Sequence, residues 1–185
     1  RLLMSNSLEE STPIHLDIGG TGGSEMISAS AITAMRLTEV VSAQMAYSDE
    51  PWKITCNSGS ATVFEKETVR KGLDIADYGN EFDSETAVFC GYSPLSHQTG
   101  MIALMDETPT ALHLNIGAFG AEIALQDLAF KGDESVYIAG ENPVSQAVGF
   151  VTADEIYIGE QVFELPDSIS EEAKTDFRLL SMDLL

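Results

Sequence analysis

Residues 14–22 read IHLDIGGTG, and residues 112–120 read LHLNIGAFG. In both stretches apolar and polar side chains alternate for five residues, and a glycine-rich turn follows before a helical pattern begins. Alternation is typical of a β-strand, and glycines allow the sharp turn from a strand into a helix. The two stretches therefore predict two strands of one sheet, each ending in the same kind of turn.

Short β-type runs alternate with longer helical patterns along the rest of the chain. Strands are predicted at 14–18, 52–56, 86–90, 111–116 and 135–139, and helices at about 24–46, 61–78, 97–105, 119–130, near 153–163 and from about 170 to the end. This order predicts an α/β fold, a Rossmann-like doubly wound and mostly parallel sheet of about five strands with helices on both faces. Gly79 is the predicted stop of the second helix.

No proline-rich or Gly/Ser-rich linker interrupts the pattern, so residues 1–185 are predicted to form a single domain. Residues 1–13 are its leader segment. Residues 168–185 are predicted to form a C-terminal amphipathic helix, begun by a capping box at Ser168 and Glu171. The chain starts at Arg1, and we expect it to belong to a longer protein in which this helix leads to a membrane segment.

The charge of the chain is strongly negative, with 30 acidic against 9 basic residues and a net charge of −21. Such a surface repels phosphate backbones, so no nucleic-acid partner is expected. The negative charge is interpreted as keeping the protein soluble through self-repulsion, or as binding a cationic partner or divalent metal ions. The only two cysteines, Cys56 and Cys90, exclude a disulfide framework. Each lies at the end of a predicted strand, and the two strands are expected to be neighbours. The two cysteines are interpreted either as small buried residues or as a thiol pair that could bind a soft metal.

The paired turns predict a ligand site. In a doubly wound sheet the first and fourth strands flank the point where strand order reverses, and ligands bind beyond the carboxyl ends of the strands there. The alternative is that the glycines serve only the tight turns. The candidate ligand-binding residues are Asp17, Gly19, Gly20, Gly22, Gly23, Asn115, Gly117, Phe119 and Gly120.

The same rim offers carboxylates, which magnesium and calcium prefer as ligands. The candidate metal ligands are Asp17, Glu25, Glu122 and Glu141. The cofactor, if any, is not specified by these residues.

Catalytic signatures are absent from the sequence. There is no P-loop, and the dinucleotide fingerprint is incomplete because Glu25 replaces its third glycine. A site of Ser93, His97 and Asp17 can be drawn, but no spacing supports it. His15 and His113 are interpreted as hydrogen-bonded residues near strand starts rather than as ligands.

Three segments in order carry a family resemblance: residues 114–122 (LNIGAFGAE), 152–163 (TADEIYIGEQVF) and 181–185 (SMDLL). The chain resembles an uncharacterised family of prokaryotic membrane-anchored Rossmann-like domains (domain of unknown function 6754). That family has a G-S-F-G-[DE]-like turn followed by a T-A-D-H-x-x-I-G-E-x-x-F-like helix. The resemblance implies a domain attached to transmembrane helices, with no established activity. Glu155 stands where the family motif has histidine.

Our leading hypothesis is a non-enzymatic assembly or ligand-sensing domain of a membrane-anchored protein. It rests on the missing catalytic signatures, the apolar ends of the chain and a first helix that is apolar nearly all round. A homo-oligomer is expected, associated with the membrane on an undetermined side; the alternative is a soluble cytoplasmic or extracellular protein. The alternative functions are a binding or catalytic domain for an anionic or nucleotide-like ligand, and a domain that responds to divalent cations.

Overall fold

A computed structural model describes residues 13–20, 29–48, 52–108, 110–130 and 135–170 of the chain. The strands in this part are β1 (Ile14–Gly19), β2 (Trp52–Cys56), β3 (Ala87–Phe89), β4 (Leu112–Gly117), β5 (Ser135–Gly140) and β6 (Glu155–Tyr157). They form one sheet in the order β3-β2-β1-β4-β5-β6, and every pairing is parallel. This order confirms the Rossmann-like, doubly wound α/β fold, with six strands where about five were predicted.

Helices cover both faces of the sheet. They are α1 (Ala29–Met45), α2 (Gly59–Ile75), α3 (Pro94–Glu107), α4 (Ala124–Ala129), α5 (Pro143–Thr152) and α6 (161–170), with 3₁₀ turns at Gly79–Glu81 and Ala121–Ile123. The main apolar core lies between one sheet face and α1, α2 and α6, and includes Leu16, Leu37, Leu73, Leu114 and Leu165. The other face is covered by α3, α4 and α5.

The two similar stretches of sequence lie side by side and in register. His15 pairs with His113, Asp17 with Asn115 and Gly19 with Gly117. Because side chains alternate between faces, these pairs point to the face that α3 and α4 cover. The apolar residues between them, among them Leu16 and Ile116, point into the main core.

The helix predicted near 153–163 is wrong. Residues 155–157 form the edge strand β6 against β5, a turn at Gly159 (φ 61°) follows, and α6 begins at 161. Ser168 lies inside α6, where its hydroxyl donates to the Glu164 carbonyl at 3.1 Å, so it does not begin a helix. The rest of the predicted C-terminal helix lies outside the described residues.

Helix α5 was not predicted, although local signals mark its start. The Asn142 side chain accepts hydrogen bonds from the backbone N–H groups of Val144 and Ser145, and Pro143 occupies the first turn. An Asn cap followed by Pro is a recognised helix start.

Helix α2 ends earlier than the predicted stop at Gly79. Asp77 adopts a left-handed conformation (φ 65°), and the Tyr78 N–H donates to the Leu73 carbonyl at 2.8 Å. This is a Schellman motif, in which the left-handed residue is usually glycine. Asp tolerates that conformation better than most residues, which explains why the glycine pattern misplaced the helix end.

Helix α1 is enclosed by its own chain. It packs against α2, β1 and β4, and its inward side chains include the small polar residues Ser30, Thr38 and Ser42. A Cβ added to Gly72 of α2 would lie 1.9 Å from Ser42 Oγ, so the two helices approach closely. The apolar character of α1 is therefore largely accounted for within this chain.

Glu65 of α2 is buried, with 2% of the residue exposed, and its Oε2 atom has no hydrogen-bond partner among the described residues. Burial raises the pKa of Glu65 to about 7, against the opposing effect of the Thr38 hydroxyl. The unfolded chain has the lower pKa of 4.5, so the folded protein binds this proton more tightly. Glu65 therefore lowers the free energy of unfolding as the pH rises from about 4.5 to about 7.

We expect Glu65→Gln to be more stable than the wild type by about 2–3 kcal/mol at pH 8, and no more stable at pH 4.5. Urea unfolding at the two pH values measures this difference. Glu67→Gln, an exposed change on the same helix, is the matched control and should differ little from the wild type at either pH. An equal effect of Glu65→Gln at both pH values would show that ionisation is not the cause.

Within the described residues, no helix combines the length and the hydropathy needed to cross a membrane.

Candidate functional site

The predicted glycine turns meet at the point where strand order reverses, between β1 and β4. Gly117 has φ +124°, and a Cβ added to it would lie 2.2 Å from the Gly19 carbonyl oxygen. Gly20 has φ +67°, and a Cβ there would lie 2.3 Å from the Ala118 Cβ. We call the predicted ligand position above these strand ends, between Gly19–Gly20 and Gly117–Gly120, the switch-point crevice. Only glycine at positions 20 and 117 allows the two turns to approach each other so closely.

Phe119 packs inward across the turn. A Cβ added to Gly19 would lie 2.3 Å from the Phe119 ring, and Phe119 itself is 3% exposed. The ring joins a small core with Ile123 and Ile138, and the Asn142 side chain donates to the Phe119 carbonyl. Phe119 therefore forms a wall of the crevice and offers little surface to a ligand.

The Asp17 carboxylate is fully buried below the crevice and accepts four hydrogen bonds. Its Oδ1 accepts from Thr55 Oγ1 at 2.8 Å and from His97 Nε2 at 2.6 Å. Its Oδ2 accepts from Gln98 Nε2 at 3.3 Å and from Gln126 Nε2 at 3.2 Å. Every oxygen lone pair thus has a protein donor, and Asp17 joins β2, α3 and α4 to the sheet centre.

Asn115 extends this arrangement on β4. Its Oδ1 accepts from Gln126 Nε2 at 2.6 Å, and its Nδ2 donates to the Tyr137 carbonyl at 3.1 Å. We call the six buried residues that meet here the polar core cluster: Asp17, Thr55, His97, Gln98, Asn115 and Gln126. Buried polar groups of this kind are stable only when they are paired.

Electrostatics favour the charged form of the Asp17–His97 pair. Burial raises the pKa of Asp17 and lowers that of His97, but the mutual attraction and hydrogen bond of the two groups outweigh burial. The resulting pKa lies below the usual value for Asp17 and above it for His97. The proton between Asp17 Oδ1 and His97 Nε2 is therefore favoured on His97.

His15 and His113 lie nearer the amino ends of the strands and behave differently. Burial lowers the pKa of His15 to about 4 and that of His113 to about 3. Their Nδ1 atoms face each other at 3.0 Å, and the Phe130 ring stacks on His113 with the ring centres 3.7 Å apart. As expected, both are hydrogen-bonded residues near strand starts, and both are neutral at pH 7.

The candidate metal ligands are not brought together as a set. Glu122 accepts the backbone N–H of Gly120 at 2.7 Å, and Glu141 accepts the hydroxyl of Ser30. No group of three or more His, Cys, Asp or Glu side chains suited to a metal ion occurs in the part of the chain that the structure describes. Glu25 lies outside it, as do the ligand candidates Gly22 and Gly23.

Cys56 and Cys90 adjoin at the β2–β3 end, where the Cys90 N–H donates to the Cys56 carbonyl at 3.1 Å. Neither is in a disulfide. Burial raises the pKa of Cys56 well above its usual value and that of Cys90 to about 12. Both are thus thiols at neutral pH, which makes them poor nucleophiles and poor metal ligands.

A separate cavity of about 230 Å³ opens at the amino end of β2, beside the ends of α1 and α2. Trp52, Lys53 and Asp83 are among its lining residues. None of the predicted site residues borders it.

The sequence reasoning missed most of the polar core cluster. His97 entered only through an unsupported triad with Ser93 and Asp17, and the structure joins His97 to Asp17 while Ser93 caps α3. A usable signal was present, because Thr55 and Asn115 are polar residues at the positions of β2 and β4 that flank Asp17. Polar residues in phase across three buried strands indicate partners on the covering helices.

These features define a Rossmann-like, doubly wound α/β domain in which two glycine turns meet at the switch point, above a buried Asp17–His97 hydrogen bond. Comparison of the chain with protein-family models, curated proteins and solved structures found no match.

Proposed function

We propose that this chain is a non-enzymatic, ligand-sensing domain of a membrane-anchored protein, and that its ligand binds in the switch-point crevice. The observation that carries the proposal is the pairing of Gly19 with Gly117 where strand order reverses. Doubly wound sheets bind ligands at this position. The membrane-anchored context rests on the family resemblance of the sequence.

Sensing is favoured over catalysis by the burial of the reactive groups. Asp17 is 0% exposed and His97 is 2% exposed, and each holds the other in an ion pair. The Ser93 hydroxyl caps α3 and accepts the backbone N–H of Ser96 at 3.2 Å. These three residues therefore provide neither a nucleophile nor a base that a ligand in the crevice could reach.

The rim favours a ligand that donates hydrogen bonds over an anion. Two donors at the rim, the Gly120 N–H and the Ser30 hydroxyl, already bind the chain's own carboxylates, Glu122 and Glu141. A phosphate would have to displace these carboxylates against charge repulsion. Ligand hydroxyl or amino groups could instead donate to them, as a ribose does to an acidic residue in dinucleotide-binding domains.

Thermal-shift measurements with matched ligand pairs test the proposal. A nucleoside is compared with its nucleotide, a free sugar with its phosphate, and magnesium or calcium is added alone. We expect stabilisation by the nucleoside or the free sugar, approaching about 2.7 kcal/mol at a hundredfold excess over Kd. Stabilisation by the phosphorylated member alone would instead support the anionic-ligand alternative, and stabilisation by the ions alone would support the divalent-cation alternative.

A matched pair of substitutions locates the ligand. Glu141→Gln removes a rim charge and should weaken binding, whereas Glu107→Gln, exposed at the far end of α3, should leave it unchanged. A response to no member of the panel, or an equal response of both variants, would contradict binding in the crevice.

Self-association is the second candidate, and exposed apolar side chains favour it. Phe150 and Val151 at the end of α5 are 78% and 82% exposed, and Ile158 and Phe163 beyond β6 are 45% and 41% exposed. Light scattering during size-exclusion chromatography should show an oligomer that Phe150→Ser weakens. A wild-type monomer at high concentration would count against this candidate.

A further inference from the structure

A continuous chain of hydrogen bonds runs through the sheet interior toward Asp17. Thr110 Oγ1 lies 2.9 Å from His113 Nε2, and His113 Nδ1 lies 3.0 Å from His15 Nδ1. His15 Nε2 lies 2.9 Å from Thr55 Oγ1, which lies 2.8 Å from Asp17 Oδ1. We call Thr110, His113, His15 and Thr55 the histidine chain. Thr110 is 6% exposed and the others are 0% exposed.

The direction of each bond follows from the chemistry at the Asp17 end. A carboxylate only accepts, so the single hydroxyl hydrogen of Thr55 points to Asp17. Thr55 must then accept from His15, which places a hydrogen on His15 Nε2. A neutral imidazole carries one hydrogen, so His15 Nδ1 is bare and accepts from His113 Nδ1.

The same count of ring hydrogens assigns the bonds between His15 and Thr110. His113 carries its hydrogen on Nδ1, so its Nε2 is bare and accepts from the Thr110 hydroxyl. Two neutral rings are required for this count. Burial supplies the reason, since it lowers the pKa of both histidines, and the 3.0 Å contact between the two Nδ1 atoms has room for only one hydrogen.

We infer that the histidine chain is a one-directional relay of hydrogen bonds, from Thr110 to Asp17, which fixes the tautomers of His15 and His113 and holds the shared proton of the Asp17–His97 pair on His97. Each donor after Thr110 receives a hydrogen bond on its other side, and such bonds polarise one another. The Thr55 hydroxyl is thereby a stronger donor to Asp17. His15, His113 and Thr55 are positioning residues for a charge that lies directly below the switch-point crevice.

Several charged or titratable groups act on this pair from the elements around it. Thr55 on β2 donates to the Asp17 carboxylate, and Glu122 in the 3₁₀ turn raises the pKa of His97. The Cys56 carbonyl on β2 acts in the same sense on His97. From α4, Gln126 contributes a neutral donor to Asp17.

The test is nuclear magnetic resonance of the protein labelled with ¹⁵N in its three histidines. At pH 7 we expect a hydrogen on Nε2 of His15, on Nδ1 of His113 and on Nε2 of His97. The wild-type spectrum alone decides the direction of the chain. Hydrogens on Nδ1 of His15 and Nε2 of His113, or a charged ring at either, would overturn the inference.

A substitution then tests the effect on Asp17. Thr55→Val removes the last donor and should raise the Asp17 pKa, followed through its ¹³C carboxyl shift, by about half a unit or more, whereas Thr55→Ser keeps the hydroxyl and should not. Packing alone would not move this pKa in one variant and spare it in the other. If Thr55→Val does not fold, Thr110→Val against Thr110→Ser tests the far end, where loss of the His113 Nδ1–H preference is expected only with valine. An unchanged Asp17 pKa in folded Thr55→Val, or an unchanged His113 tautomer in Thr110→Val, would refute the relay.

Discussion

Gly117→Ala is expected to lower the free energy of unfolding by about 3 kcal/mol or more. Two costs combine at this position. The backbone has φ +124°, which L side chains rarely adopt, and the new Cβ would lie 2.2 Å from the Gly19 carbonyl oxygen. The obstacle is backbone of a central strand rather than the end of a flexible side chain, so it cannot move aside without disturbing the β1–β4 pairing.

Two other glycines separate these costs by urea unfolding. Gly159 has φ +61° but no atom within 4 Å of an added Cβ, so Gly159→Ala should cost only about 1 kcal/mol for the backbone conformation. Gly59 has open space and no positive φ in the first turn of α2, and alanine there should be neutral or stabilise slightly. If Gly117→Ala costs no more than Gly159→Ala, the close approach of the two turns is not a real constraint.

Asp17→Ala is expected to cost about 3–5 kcal/mol, because it leaves the buried His97 without its counter-ion. It also removes the acceptor for Thr55, Gln98 and Gln126. Unpaired buried donors each carry a desolvation penalty, which adds to the loss of the ion pair. Urea unfolding at pH 7 measures the total.

The surface ion pair between Arg36 and Asp167 is a control of equal geometry. Its N–O distance is 2.6 Å, the same as that between His97 and Asp17, but its side chains are 57% and 63% exposed. Water and salt screen such a pair, so Asp167→Ala should cost no more than about 1 kcal/mol. Similar costs for the two substitutions would mean that burial does not decide the strength of the Asp17 pair.

The candidate site was only partly accessible to sequence reasoning. The glycine turns were located because their signal is local, a strand followed by glycines, and their meeting follows from the general geometry of doubly wound sheets. Asp17 and Asn115 were placed on the correct face by alternation. Their partners were not identified, because Asp17 and His97 are 80 positions apart and only packing of α3 on the sheet brings them into contact.

The fold shows the same division. Five strands and six helices were predicted from hydrophobic period and turn residues, which are properties of neighbouring residues, and the structure has all five strands and four of these helices. The edge strand β6 was predicted as helix, because its three residues become a strand only through pairing with β5. Helix α2 is terminated by Asp77 in a left-handed conformation, which the sequence does not predict because glycine is the usual residue there.

By itself, the sequence determined the alternation of strands and helices, the acidic surface and the two glycine corners, since each depends on composition or on residues close along the chain. The tertiary structure alone decided that Phe119 turns inward over Gly19, that Glu122 and Glu141 bind donors at the rim, and that Asp17 pairs with His97. The physical reason is that burial and hydrogen-bond partners across distant segments set side-chain charge and orientation, and neither is fixed until the helices pack on the sheet.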